Sequence, residues 1–114
     1  RKIAAMAEAY DIAVAPHCPL GPLALAACLQ VAACTPNVAI QEMSLGIHYN
    51  VGADLFSYCL HKEQLSPSDG YLGIPTGSGL GVDIDEDAVR QSDKDRHRWR
   101  NPVWRLEDGS FAEW

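Results

Sequence analysis

The distribution of charge constrains the fold of this 114-residue chain more than any other feature of its sequence. Over residues 12–61, only Glu42 and Asp54 carry a formal charge. By contrast, residues 83–114 contain 15 charged residues, including six of the nine lysines and arginines. Because a small domain needs a charged exterior, the first half is predicted to be the interior of something larger. The second half is then predicted to be a surface or covering segment.

The overall composition narrows the class of protein. Nine basic residues against 15 acidic ones give a formal charge of −6, which disfavours a general binder of nucleic acid or anionic membranes. The best apolar stretch, Pro19–Cys34, is broken by polar and proline residues and falls short of the ~20 residues that a membrane span needs. No signal-peptide pattern is visible. We therefore expect partners other than nucleic acid or membrane.

The four cysteines lack the spacing of a zinc site. They lie 10, 6 and 25 positions apart, without a CxxC pair, at Cys18, Cys28, Cys34 and Cys59. In an Ala/Leu-rich stretch, a free thiol behaves as a small apolar side chain. Structural, reduced cysteines are predicted ahead of disulfides, and this favours an intracellular, cytoplasmic protein.

Hydrophobic spacing predicts an α/β order of elements. An apolar stripe of helical period covers residues 3–10, and a short buried strand follows at Ile12–Ala15. Leu23–Ala33 is predicted to be helical, and Val38–Ile40 to be a second buried strand. Helix, strand, helix and strand with short links favour parallel strands. Further along, the predicted elements are a helix at Gly52–Lys62, a loop over residues 64–81 and a helix at Asp85–Ser92.

Two side chains with acid–base chemistry follow the two predicted strands. His17 lies just beyond the first strand and Glu42 just beyond the second. Since active sites of parallel α/β folds lie at the carboxyl ends of the strands, both are expected at one edge. Imidazole exchanges protons near neutral pH, and a protonated carboxyl can donate to a developing oxyanion. Proton abstraction beside a substrate carboxylate is one interpretation. A hydrogen-bonded structural histidine and a salt-bridged glutamate are the alternatives.

The other histidines and two motifs have competing interpretations. His48 is a candidate substrate-binding residue, with a structural histidine as the alternative, whereas His61 and His97 are expected to be solvated. Gly77–Gly81 has the glycine density of a dinucleotide loop but lacks the βαβ context, which favours a connector. Arginines and tryptophans over residues 96–105 are flanked by acidic residues, which favours a stacked surface or subunit interface over a nucleic-acid patch.

Three blocks of sequence resemble one enzyme family. They are APHCPLGP at Ala15–Pro22, QEMSLGIHYN at Gln41–Asn50, and the ending from WRNPVWR at Trp99–Arg105 to AEW at Ala112–Trp114. In this order they resemble the galactonate dehydratase family, in the mandelate racemase branch of the enolase superfamily. The resemblance runs through nearly all 114 residues. It implies an α/β fold: the C-terminal part of a modified (β/α) TIM-like barrel, with a tail that returns to an α+β capping domain.

The resemblance also implies how the chain is divided between barrel and capping segment, and which residues are catalytic. Residues 1–62 would be the last strands and helices of the barrel, and residues 63–114 the C-terminal loop and capping segment. His17 would be the general base that removes the proton at C2 of a sugar acid. Glu42 would hydrogen-bond the carboxylate as it becomes an enediolate. The implied reaction is loss of water from D-galactonate, giving 2-dehydro-3-deoxy-D-galactonate.

The implied cofactor is Mg²⁺, bound in the family by three carboxylates on earlier strands. An Asp that orients His17 and a second His that protonates the leaving hydroxyl also lie on earlier strands. None of these positions falls within the 114 residues, so we expect no metal ligand here and no activity of the isolated chain. A homo-oligomer of the full-length chain, acting on a small aldonate, is expected. The alternatives are a dehydratase of gluconate or a pentonate, an inactive interaction fragment, and a nucleic-acid module formed by the Arg/Trp tail.

Overall fold

The helices within the described residues are short, and irregular segments separate them. A computed structural model describes residues 1–44, 55–94 and 103–112. Within these residues the α-helices are α1 (Lys2–Glu8), α2 (Pro22–Ala33) and α3 (Glu86–Lys94). Two 3₁₀ helices, Leu55–Tyr58 and Lys62–Leu65, lie between α2 and α3. Isolated β-bridges pair Val14 with Val38 in parallel, and Cys59 with Ile84, Ser68 with Tyr71 and Arg105 with Phe111 in antiparallel orientation.

Helix α1 forms at the predicted place but leaves its apolar stripe exposed to solvent. Ala4 is its buried residue, whereas Ile3, Met6 and Tyr10 are 76%, 62% and 78% exposed. The chain leaves the helix through Asp11, whose φ of 53° is a left-handed conformation that Asp tolerates better than most residues. The helical period therefore predicted the element, but the described residues do not cover its apolar side.

Helix α2 confirms the helix predicted at Leu23–Ala33. Pro22 occupies its first turn, where a backbone N–H would have no partner within the helix, and Gly21 is the N-cap. Alanine and leucine, both strong helix formers, supply most of its length. Leu25 and Leu29 are buried, so this helix carries the largest share of the core that the described residues form.

The two predicted strands meet in a single parallel bridge. The Val14 N–H donates to the Asn37 carbonyl at 2.9 Å, and the Ala39 N–H donates to the Val14 carbonyl at 3.0 Å. The predicted parallel orientation is confirmed by the pairing of Val14 with Val38. The described residues form this one bridge in place of two full strands, and they form no barrel. A parallel sheet needs neighbouring strands and covering layers, and a lone pair of segments has neither.

The continuous helix predicted at Gly52–Lys62 is wrong over its described part, which begins at residue 55. Leu55–Tyr58 completes one 3₁₀ turn, and the chain then pairs with the segment before α3. The Leu60 N–H donates to the Asp83 carbonyl at 3.0 Å instead of to a carbonyl four residues earlier. Long-range backbone pairing therefore ends the helix after a single turn.

Helix α3 confirms the last predicted helix, with a shifted end. Asp85 Oδ1 accepts the Ala88 N–H at 2.9 Å, as expected of an N-cap aspartate. The helix runs to Lys94, two residues beyond the predicted end at Ser92. Acidic residues in the first turn and a lysine in the last both complement the helix dipole. Local sequence signals were sufficient for this element.

A small core joins α2 to the 3₁₀ helices. Its buried members are Cys18, Leu25, Leu29, Phe56, Cys59 and Leu65. Because Cys18 directly follows His17, core packing anchors the loop that carries this histidine. Among the described residues, no helix is long and apolar enough to cross a membrane. The division of the chain at residue 62 stays a prediction.

Candidate active site

The parallel bridge brings His17 and Glu42 to the same edge of the molecule. His17 follows Val14 by three residues and Glu42 follows Val38 by four, along segments that run in the same direction. His17 Nδ1 and Glu42 Oε2 lie 2.6 Å apart, although the whole of α2 separates them in sequence. The structure therefore brings together the two side chains that follow the predicted strands.

Backbone groups hold the Glu42 carboxylate and connect the two segments. The Cys18 N–H donates to Glu42 Oε2 at 3.1 Å, so one oxygen receives both this amide and the His17 ring nitrogen. The Glu42 N–H donates to the Pro16 carbonyl at 3.4 Å. A proton on His17 Nδ1 leaves Nε2 as the acceptor of the neutral ring. The contact thus selects which ring nitrogen faces away from the carboxylate.

Gln41 is a component of this edge that the sequence patterns did not predict. Its Nε2 donates to the Pro16 carbonyl at 3.1 Å and to the Glu42 carbonyl at 2.8 Å. Its Oε1 is buried and finds no hydrogen-bond partner among the described residues. The one signal in the sequence was its place directly before Glu42, at the end of the second apolar run.

The His17–Glu42 pair is open to solvent. The two side chains are 74% and 46% exposed, so a small solute can reach both. A pair this exposed adds only about 0–1 kcal/mol to stability. Chemically, the edge offers a proton acceptor next to a carboxyl group, a combination suited to acid–base catalysis.

The thiol next to this pair is buried in the core and suited to packing. Cys18 is 1% exposed, and burial, reinforced by the neighbouring Cys28, raises the pKa of its thiol above the ordinary value of 9.0. A thiol that stays protonated is a poor nucleophile, so Cys18 does not supply a second reactive group here. The four cysteines are free thiols, as predicted, with Cys59 also buried and Cys34 exposed.

The remaining predicted histidines lie away from this edge or outside the described residues. His61 Nδ1 lies 3.4 Å from Glu63 Oε1, and both side chains are exposed, which agrees with a solvated histidine. His48 and His97 lie outside the described residues, as do positions 96–102 of the Arg/Trp-rich segment. The interpretations of these positions therefore stay predictions.

The glycine-rich loop has the geometry of a connector. Gly81 has a φ of 76°, and a Cβ there would lie 2.7 Å from the Pro75 Cβ, so only glycine fits this close turn. The Gly81 N–H donates to the Ser78 carbonyl at 3.1 Å. In the described chain no strand leads into this loop, and the next helix begins only at Glu86. This agrees with the connector interpretation and not with a dinucleotide-binding loop.

The described residues do not by themselves fit a magnesium ion. Among them, no group of three or more His, Cys, Asp or Glu side chains could hold a metal. Mg²⁺ prefers several oxygen ligands in octahedral geometry. At this edge the available carboxylate is Glu42, which already receives His17 and the Cys18 N–H. No chemical step at this edge is therefore assigned to the metal.

Sequence comparison places the chain in a family. A sequence model of the family described as Enolase C-terminal domain-like matches residues 1–88. The chain belongs to this family. Its full-length members have a TIM-barrel-type fold. The resemblance drawn from the blocks around His17 and Glu42 is thereby confirmed.

Proteins named D-galactonate dehydratase match 99% of the chain. The protein from Ralstonia pickettii (strain 12J) is 58% identical over 113 residues. Those from Xanthomonas campestris pv. campestris (strain B100) and Xanthomonas oryzae pv. oryzae (strain PXO99A) are 56% and 55% identical. The chain spans 30% of the length of each of these relatives.

Proposed function

We propose that this chain forms part of an acid-sugar dehydratase that converts D-galactonate to 2-dehydro-3-deoxy-D-galactonate. The observation that carries the proposal is the 2.6 Å contact between His17 and Glu42 at the ends of two parallel segments. The identity of 55–58% to proteins named D-galactonate dehydratase supports the choice of reaction and substrate. The two residues supply complementary chemistry, a base and an acid, at one exposed edge.

His17 is the general base in this proposal. With Nδ1 directed to Glu42, Nε2 is left to accept the proton from C2 of the aldonate. The C2–H bond breaks, and its electron pair moves toward the substrate carboxyl group to form an enediolate. Because the side chain is 74% exposed, the substrate can approach the ring without unfolding the loop.

Glu42 stabilises the developing charge. A carboxyl group that carries a proton can donate a hydrogen bond to the oxyanion as it forms. The Cys18 N–H holds one of its oxygens at 3.1 Å, which limits the positions that the carboxyl group can take.

Completing the elimination requires groups beyond these two side chains. The C3–O bond breaks as a proton is delivered to the leaving hydroxyl, and the resulting enol rearranges to the 2-oxo acid. By family resemblance, that acid and the carboxylate ligands of Mg²⁺ lie outside these 114 residues, so the isolated chain is expected to be inactive. Cytoplasmic location and homo-oligomeric assembly belong to the same proposal.

The test uses the intact natural gene product that contains this sequence. Its denatured mass is measured first and compared with the 12.4 kDa of this chain. Turnover of D-galactonate, D-gluconate and a pentonate is then followed with Mg²⁺ present. His17→Asn is expected to lower kcat about 10²- to 10⁴-fold and to stop exchange of the C2 proton with D₂O, because the proton acceptor is lost.

His61→Asn is the matched control. It removes an exposed histidine whose Nδ1 also faces a glutamate, at 3.4 Å, and kcat should stay within twofold of the parent, an allowance of about 0.4 kcal/mol. Turnover of gluconate or a pentonate instead of galactonate would reassign the substrate. Full activity of His17→Asn would overturn its role as the base. An intact protein that turns over none of these acids would favour the non-catalytic interaction role.

A further inference from the structure

Gln41 connects the backbones that carry His17 and Glu42. Its Nε2 donates at 3.1 Å to the Pro16 carbonyl, which belongs to the peptide bond leading into His17. The same nitrogen donates at 2.8 Å to the carbonyl of Glu42 itself. A single amide group therefore connects the two segments that carry His17 and Glu42, the proposed acid–base pair.

The orientation of this amide follows from its neighbours. Both partners of Nε2 are carbonyl oxygens, which only accept, so the atom that faces them must be the donor nitrogen. The opposite atom, Oε1, is buried and finds no partner among the described residues. An unpartnered buried acceptor is unfavourable, and a methionine or leucine would avoid that penalty. Simple filling of space therefore does not account for a glutamine here.

Among the described residues, few backbone–backbone hydrogen bonds join the two segments beyond their bridge. The bridge itself ends with the Ala39 N–H, which donates to the Val14 carbonyl at 3.0 Å. Past that point, the Glu42 N–H reaches the Pro16 carbonyl at a long 3.4 Å. The two bonds of Gln41 are shorter than this contact, at 3.1 and 2.8 Å. They are well placed to set the spacing of the residues that follow.

We propose that Gln41 is a positioning residue that sets the separation and orientation of His17 and Glu42 for proton transfer. It acts through the Pro16 carbonyl on one side and the Glu42 backbone on the other, and it touches no reacting atom. The proposal rests on the function proposed above for the pair. Its physical basis is that a misplacement of about 1 Å in a catalytic group can cost about 10²-fold in rate.

The test compares two glutamine-to-methionine variants of the intact gene product. Gln41→Met keeps the length of the side chain and removes both donated bonds. Gln30→Met is the matched control, because Gln30 Nε2 also donates to a proline carbonyl, that of Pro75, at 2.9 Å. We expect Gln41→Met to lower kcat about ten- to a hundredfold with KM within about threefold, and Gln30→Met to leave both unchanged.

A second readout does not depend on turnover. Nitrogen-15 NMR of the His17 ring reports whether Nδ1 carries the proton, as the contact with Glu42 requires. Gln41→Met is expected to shift the ring toward a mixture of tautomers, whereas Gln30→Met should leave the spectrum as in the parent. If the protein turns over no aldonate, the proposed function fails, and this spectrum still decides whether Gln41 positions His17.

Two outcomes would overturn the positioning role. One is a Gln41→Met variant with parental kcat and an unchanged His17 spectrum. The other is an equal loss of kcat in the Gln41→Met and Gln30→Met variants, which would indicate a general structural effect. Should Gln41→Met not fold, Gln41→Asn keeps the donor on a shorter arm that cannot reach both carbonyls. It is expected to lose part of the rate, and full retention would count against the proposal.

Discussion

Two histidine–glutamate contacts lie in the described part of the chain, and they are built differently. His17 and Glu42 come from segments on either side of α2 and lie 2.6 Å apart, with the Cys18 N–H on the same carboxylate oxygen. His61 and Glu63 are two positions apart at the start of a 3₁₀ helix, and their atoms lie 3.4 Å apart. The first pair depends on tertiary structure, whereas the second follows from local sequence.

This difference distinguishes the His17–Glu42 contact, a candidate site, from the His61–Glu63 contact, a solvated contact between the same residue types. A local pair of exposed side chains adds little to stability and can rearrange freely. The long-range pair forms only when the parallel bridge and the core bring the two segments together. The Cys18 N–H and the neighbouring core both help to hold this pair in place. Acid–base catalysis requires groups that are fixed in this way.

The largest expected difference between the pairs lies in catalysis. In the intact gene product, Glu42→Gln is expected to lower kcat for D-galactonate about 10²- to 10³-fold, because the amide is a weaker donor to the enediolate than the carboxyl group. Glu63→Gln should leave kcat within twofold, about 0.4 kcal/mol, of the parent. Steady-state kinetics of both variants measure this. Equal effects of the two changes on kcat would show that the two contacts do not differ in catalysis.

The next difference concerns the core that supports the first pair. Leu25 is fully buried and shares the core with Cys18, so Leu25→Ala is expected to lower the free energy of unfolding by about 2–5 kcal/mol. Leu60→Ala is the control, since Leu60 is 59% exposed and should change stability by less than about 0.5 kcal/mol. Urea unfolding of the intact protein compares them. A small effect of Leu25→Ala would show that this core does not support the His17–Glu42 edge.

The smallest expected effect is on thiol reactivity and its dependence on pH. Burial raises the pKa of the Cys18 thiol above 9.0, so its labelling at pH 8 should be slower than that of the exposed Cys34. Glu42→Gln should speed labelling of Cys18, because it removes a negative charge that adds to the effect of burial in raising the pKa of this thiol, whereas Glu63→Gln should not. Peptide mass spectrometry resolves the sites. Equal labelling of Cys18 in both variants would contradict a coupling of this thiol to the first pair.

The sign of the linked stability effect follows from the direction of that pKa. Because the pKa of Cys18 is raised in the folded state, its contribution to stability is complete below pH 9.0, its ordinary value. The contribution is lost as the pH rises through the higher folded-state value, since the unfolded chain then releases the proton more readily. Unfolding curves from pH 7 to 10, with Cys18→Ala as the reference, measure it. A parent whose stability does not fall relative to that reference at high pH would contradict the raised pKa.

The sequence by itself determined the elements whose signals are local. Alanine and leucine with Pro22 at the start predicted α2, and Asp85 as the residue that starts a helix predicted α3. The order of helices and apolar runs predicted parallel pairing, and therefore that His17 and Glu42 share an edge. The helix predictions succeeded because capping and helix propensity act between residues that are close in sequence. The pairing prediction succeeded because a helix with short links between two strands favours a parallel arrangement.

Only the tertiary structure decided the features that depend on distant partners. The Leu60 N–H bonds to Asp83, so the predicted helix around it is replaced by 3₁₀ turns. Similarly, Gln41 belongs to the candidate site because the chain turns after α2 and brings its side chain within hydrogen-bond distance of the Pro16 carbonyl. A hydrogen-bond donor takes whichever acceptor the fold places within about 3 Å, and no local pattern encodes that choice.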